Sequence, residues 1–148
     1  MRHLVAIAVL ALAVSGFARA DDVGQIKVAK GTVHVEREGK QVPATVGMAI
    51  HQSDTVITGA DGSAGITFSD NSLLSTGPNS VLVVDRYSFD TTTHAGHFDA
   101  SLKKGTLAVV SGKMVKQTPG AMRVRTPAAI MGVRGTEFVV QVDEPTKK

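Results

Sequence analysis

The feature that most constrains this chain is a period of two. Apolar residues return at alternate positions in Val33/Val35, Val46/Met48/Ile50, Ala64/Ile66/Phe68 and Phe98/Ala100/Leu102, the spacing that puts one face of a strand in a core and the other in water. Turn-forming residues interrupt the pattern at Glu38-Gly39-Lys40, Ala60-Asp61-Gly62-Ser63, Asp70-Asn71, Gly77-Pro78-Asn79-Ser80, Lys104-Gly105, Ser111-Gly112-Lys113 and Pro119-Gly120. Each can reverse the backbone, because Gly, Asn and Asp tolerate positive φ and Pro presets a turn. Composition agrees: residues 21–148 hold eighteen valines against five leucines, and β-branched side chains favour the pleated backbone. Val81–Val84 and Ala108–Val110 are unbroken apolar runs and predict strands covered on both faces. With no helical period in any stretch of length, the expected fold is all-β, many short strands in a sandwich, barrel or short solenoid without a substantial helix.

The first twenty residues stand apart. Arg2 and His3 precede an apolar run from Leu4 to Val14, followed by Ala18-Arg19-Ala20. That is the order of a secretory signal peptide, with cleavage expected before Asp21; the run is too short to span a bilayer. The chain therefore divides into a leader over 1–20, one domain over 21–143 and a frayed tail over 144–148, and it is expected in the periplasm, or secreted, with no membrane span after cleavage. Arg2 and Arg19 leave with the leader, so the formal charge drops from +3 to +1. Nucleic acid is not an expected partner of so nearly neutral an exported domain. No cysteine occurs, which excludes disulfides, thiolate metal sites and a Cys nucleophile.

Charge is unevenly spread. Lys103, Lys104, Lys113, Lys116, Arg123, Arg125 and Arg134 fall within 103–134, where there is no acid, whereas ten acids face five bases over 21–102. Such a run either solvates a surface and pairs with acids across strands, or forms a patch for an acidic partner. Arg123 and Arg125 flank Val124 and would leave a strand on one side. Lys103, Lys104, Lys113, Lys116, Arg123 and Arg125 are thus the candidate partner-binding residues.

Chemistry is sparse by comparison. No nucleophile elbow, metalloprotease motif, phosphate loop or dinucleotide fingerprint occurs in the mature part, and one Tyr with no Trp gives little stacking surface. His94 and His97, even joined by His34, His51, Asp90 or Asp99, make a weak ligand pair on a polar loop, Asp90–His97. Asp54, Asp61, Asp70 and Asp85 all lie at or beside turns, where Asp ordinarily accepts backbone N–H bonds. The expectation is no enzyme, no metal and no cofactor.

A basic residue, glycine and threonine open a strand three times, at Lys30-Gly31-Thr32, Lys104-Gly105-Thr106 and Arg134-Gly135-Thr136. The last lies in the strongest local motif, Thr126-Pro127-Ala128-Ala129-Ile130-Met131-Gly132-Val133-Arg134-Gly135-Thr136-Glu137-Phe138. Here Pro127 holds Thr126 extended, Gly132 and Gly135 bracket Val133-Arg134 with permissive backbone, and a strand resumes at Thr136. Arg134 reads as structural, pinning a loop by bidentate bonds to a carboxylate such as Asp54 or Asp70, or to carbonyls.

This string resembles the closing signature of the FecR-type periplasmic domain. Asp54-Thr55-Val56-Ile57-Thr58-Gly59, Gly62 to Ser72, and Gly77-Pro78-Asn79-Ser80 resemble the same family's strand–turn units in the same order, so the likeness runs from about Val28 to Val142. Asn71 stands where the family usually has glycine, and Ser53 where glycine often precedes the aspartate. The resemblance implies a FecR-like sandwich or short solenoid and an envelope location, with Thr126, Pro127, Gly132, Val133, Arg134, Gly135, Thr136 and Phe138 as a structural signature. In well-known members the domain takes a signal from the signalling domain of an outer-membrane transporter and passes it through a membrane helix to a cytoplasmic sigma-factor regulator. The expected function is a non-catalytic periplasmic module that contacts another envelope protein; the alternative is a module for peptidoglycan or another anionic envelope polymer.

Overall fold

The structure, a computed structural model, describes residues 22–135 and 137–143; the expected leader, the tail and Thr136 lie outside them. The strands are β1 (Asp22–Lys30), β2 (Val33–Arg37), β3 (Lys40–Pro43), β4 (Ala49–His51), β5 (Thr55–Thr58), β6 (Ser63–Phe68), β7 (Leu73–Thr76), β8 (Val81–Phe89), β9 (Gly96–Val110), β10 (Met122–Arg125), β11 (Ile130–Gly132) and β12 (Glu137–Val142). One helical turn, α1 (Lys113–Gln117), buries Met114 and Val115. The fold is all-β, as the alternation requires.

The strands form one curled sheet, in the order β3-β2-β5-β8-β9-β7-β6-β1-β4. The fifteen-residue β9 is its spine. Its first part pairs with β8 and, in parallel, with β10, while Gly105–Val110 pairs with β12 and Leu107–Val110 with β7. The sheet thus has a first half (β4, β1, β6, β7, the end of β9, β12) and a second half (β3, β2, β5, β8, the start of β9, β10, β11). The halves close on a single core. Phe68 of the first half packs against Tyr87 and Phe98 of the second, with ring centroids 5.5 and 4.5 Å away, inside the range where aromatic pairs attract beyond their burial.

Lys104-Gly105 is a bend inside β9 rather than a turn between strands, so the second copy of the basic-Gly-Thr motif does not open a strand. Gly105 has φ +92, and a Cβ there would run into Ser80; only glycine lets the spine bend this close to its neighbour. Val81–Val84 and Ala108–Val110 also depart from expectation. They alternate between buried and partly exposed positions, and Val110 is 39% exposed, because the curl covers only the concave face. Ser111-Gly112-Lys113, read as a turn, leads into α1.

Candidate functional site

Two of the turn aspartates are almost wholly buried. Asp54 and Asp70 are each 1% exposed, and burying a carboxylate is costly unless its oxygens are bonded. Asp54, between β4 and β5, is gripped by Arg37 of β2: Nε donates to Oδ1 at 2.9 Å and Nη2 to Oδ2 at 2.6 Å. The same Nη2 donates to the Ala49 carbonyl at 3.0 Å, and the His51 N–H donates to Asp54 Oδ2 at 2.8 Å. The hydrogen bond to Asp54 raises the guanidinium pKa despite its partial burial. Since β2 and β5 belong to one half of the sheet and β4 to the other, this ion pair clasps the halves at one place.

Asp70, in the β6–β7 turn, is a second clasp built without a cation. Its Oδ1 accepts from Ser72 Oγ at 2.6 Å and from the Tyr87 hydroxyl at 3.1 Å, while the Tyr87 oxygen accepts from the Asp70 N–H at 2.9 Å. Tyr87 lies on β8 of the opposite half. Burial first, and the Asp70 charge second, push its hydroxyl pKa well above 10. The Asp70 carbonyl takes the Lys113 N–H at 2.8 Å and so seats α1.

Both carboxylates expected as partners of Arg134 are therefore occupied by other groups. Arg134 is exposed and has no ion pair among the described residues. Several other residues of the signature bond or pack within the fold. Thr126 Oγ1 accepts the Ala128 and Ala129 N–H groups at 3.3 and 3.1 Å, closing the β10–β11 turn that holds Pro127. Val133 is 3% exposed and its N–H donates to the Met122 carbonyl at 2.9 Å. Phe138 packs against the core, and the Gly135 carbonyl accepts from Ser111 Oγ at 2.8 Å. Gly132 and Gly135 do not use positive φ, contrary to the permissive role read for them, and a Cβ on either would meet open space.

The basic residues separate into groups. Arg123 and Arg125 point outward from β10, while Met122 and Val124 alternate with them and are buried. Their register partners on β9 are Asp99 and Ser101, and exposed Lys103 follows on the same outer face. Lys113 and Lys116 are exposed on α1, and Lys104 sits at the β8–β9 bulge opposite Val81. No ion pair joins Lys103, Lys113, Lys116, Arg123 or Arg125 to a carboxylate among the described residues. Asp85, on the same outer side, accepts the Ser101 hydroxyl at 2.5 Å and helps line a shallow depression of about 300 Å³ with Asp99 and Arg125.

The turn after β8 holds the histidine pair apart. Asp90 Oδ1 accepts the Thr92 and Thr93 N–H groups at 2.8 and 3.0 Å, which lowers its pKa; His94 stacks on Phe89 at 5.9 Å, whereas exposed His97 belongs to β9. Among the described residues, no three His, Cys, Asp or Glu side chains converge on a metal position. Asp61 likewise serves a turn, accepting the Thr32 N–H at 3.2 Å, and Thr32 lowers its pKa.

Fold and site together define an all-β module whose two buried turn carboxylates, Asp54 and Asp70, are bonded to their own scaffold. The chain matches the family model described as FecR protein over residues 54–148, and it belongs to the FecR family. That family has signalling and regulatory roles and is associated with the cell envelope. The match opens on Asp54, the first clasp, so β1 to β4 precede it. No curated protein and no solved structure matches the chain. No helix among the described residues is long and apolar enough to cross a membrane.

Proposed function

We propose that the protein is a non-catalytic periplasmic module that binds another envelope protein through the outer face of the β9–β10–β11 region. The observation that carries this reading is the set of outward cations Lys103, Arg123 and Arg125, none with an ion pair among the described residues. Cations left unpaired beside two carboxylates, Asp85 and Asp99, make a patterned surface that favours a complementary partner face. Ile130, the register partner of Arg125 and 62% exposed on β11, adds apolar area beside them.

The test places a photo-crosslinking residue at Ala128, exposed in the β10–β11 turn, or at Val28, 42% exposed on β1, in intact cells. A discrete protein adduct is expected from position 128 and not from 28. Combined Lys103→Glu, Arg123→Glu and Arg125→Glu should abolish it, since reversed charges at an interface are repulsive. The alternative is a polymer site served by the same cations. It predicts co-sedimentation of the chain with purified peptidoglycan, fading steeply with salt, and no protein adduct at either position.

A further inference from the structure

An open sheet edge is a template for pairing with another chain, and proteins blunt such edges with short strands, lysine or proline. The curled sheet has four terminal strands among the described residues, β3, β4, β11 and β12, each paired on one side only. Three are protected: β3 begins with Lys40 and ends with Pro43, and β4 and β11 are three residues long. β12 is not. It runs for six residues, Glu-Phe-Val-Val-Gln-Val, without lysine or proline, and Val139 is 66% exposed at its centre. Outside its pairing with β9, its backbone makes no hydrogen bond to another described backbone group. Its C-terminal end opens on a cleft of about 410 Å³ lined by Lys103, Pro127, Ala128, Val142 and Asp143, among others.

Charge selects the occupant. Glu137, Val139, Gln141 and Asp143 are the exposed positions of this segment, which places one acid at each end of a single face with none between. A second copy pairing antiparallel about a twofold axis would bring each Glu137 beside the other copy's Val142 and Asp143, and like charges across strands are unfavourable. We propose that β12 is a strand-addition site for an extended partner segment that is apolar at its centre and carries basic residues about six positions apart. The site adjoins the β9–β10 surface at Lys103, but it is argued from the edge of β12 and does not rest on the functional reading above.

The probe is a capped peptide, Lys-Thr-Val-Thr-Val-Thr-Lys, compared with its Glu-flanked counterpart, added to the full chain and followed by backbone amide NMR. The Lys-flanked peptide is expected to shift and protect the amides of 137–142 and to bind about tenfold more tightly than the other, the size expected of two favourable against two unfavourable cross-strand pairs. The double variant Glu137→Lys/Asp143→Lys alters only exposed side chains, and its unchanged far-UV spectrum would show that it folds; it should invert the ranking. Equal affinities, shifts located away from β12, or no binding at millimolar peptide would each overturn the proposal. So would self-association of the unmodified chain through 137–142.

Discussion

Asp54 and Asp70 invite a direct comparison. Both follow a serine, both mark turns, both are 1% exposed and both join the two halves of the sheet. One is held by a guanidinium and one backbone N–H, the other by two hydroxyls and a backbone N–H. Either solution satisfies the oxygens, but they differ in what happens when a partner is removed. The ion pair leaves a buried charge without its counter-ion, whereas the hydroxyl cluster loses one of several neutral donors. The largest effect is therefore expected at the first clasp: Arg37→Met should cost about 2–3 kcal/mol in urea unfolding, below the range for a fully buried pair because the arginine side chain is 34% exposed while the stranded carboxylate is buried. Removing both charges in Arg37→Met/Asp54→Leu should recover most of that loss, because a buried pair exchanged for apolar groups is often near neutral. A double variant as unstable as the single one would show that the pair itself, and not the orphaned carboxylate, holds the halves together.

At the second clasp Tyr87→Phe should cost about 1–3 kcal/mol, because it removes both the bond donated to the Asp70 carboxylate and the bond accepted from the Asp70 N–H. Its clearer signature is in pH. The tyrosine pKa is higher in the folded state than its ordinary 10.0, so the hydroxyl's contribution is fully present below pH 10 and is lost as pH rises through the folded value. Stability of the unmodified protein should thus fall along an alkaline limb that begins near pH 10, and the Phe variant should lack this component. An identical alkaline limb in both proteins would mean that the Tyr87 proton is not linked to folding.

The clasps also mark the boundary of what the sequence reveals. Alternation and turn residues suffice for an all-β chain, and the spacing of Arg123 and Arg125 suffices to put both on one face, because each inference needs only local geometry. Arg37 as the partner of Asp54 is not legible. The two are seventeen residues apart, and only the β2–β5 pairing brings them together. Arg134 is the opposite case: its glycine-flanked address suggests a fixed partner, yet Asp54 and Asp70 are bonded to other groups and Arg134 has no ion pair among the described residues. Gly105 looks like any turn glycine, since tolerance of positive φ is the same for a reversal and for a bend within a strand. The edge that β12 presents among the described residues is invisible until strand order is known.

The smallest predicted effects return to the residues beside the clasps. Ser53 immediately precedes Asp54 and Asn71 immediately follows Asp70, and both are left-handed, with φ of +74 and +67. For an ordinary L-residue that conformation costs roughly 1–2 kcal/mol, but asparagine visits it readily because its short amide bonds locally. Glycine removes the steric cost and adds back conformational entropy in the unfolded chain, which offsets about 0.4–1 kcal/mol. Ser53→Gly should therefore stabilise by about 0.5–1 kcal/mol, while Asn71→Gly should lie within about 0.5 kcal/mol of zero. The two substitutions remove different amounts of strain from otherwise matched positions, so their difference isolates the backbone contribution from the hydrogen bonds of the clasps. Equal changes in the two urea midpoints would show that serine is not strained at 53, and that the ion pair alone fixes the geometry of the first clasp.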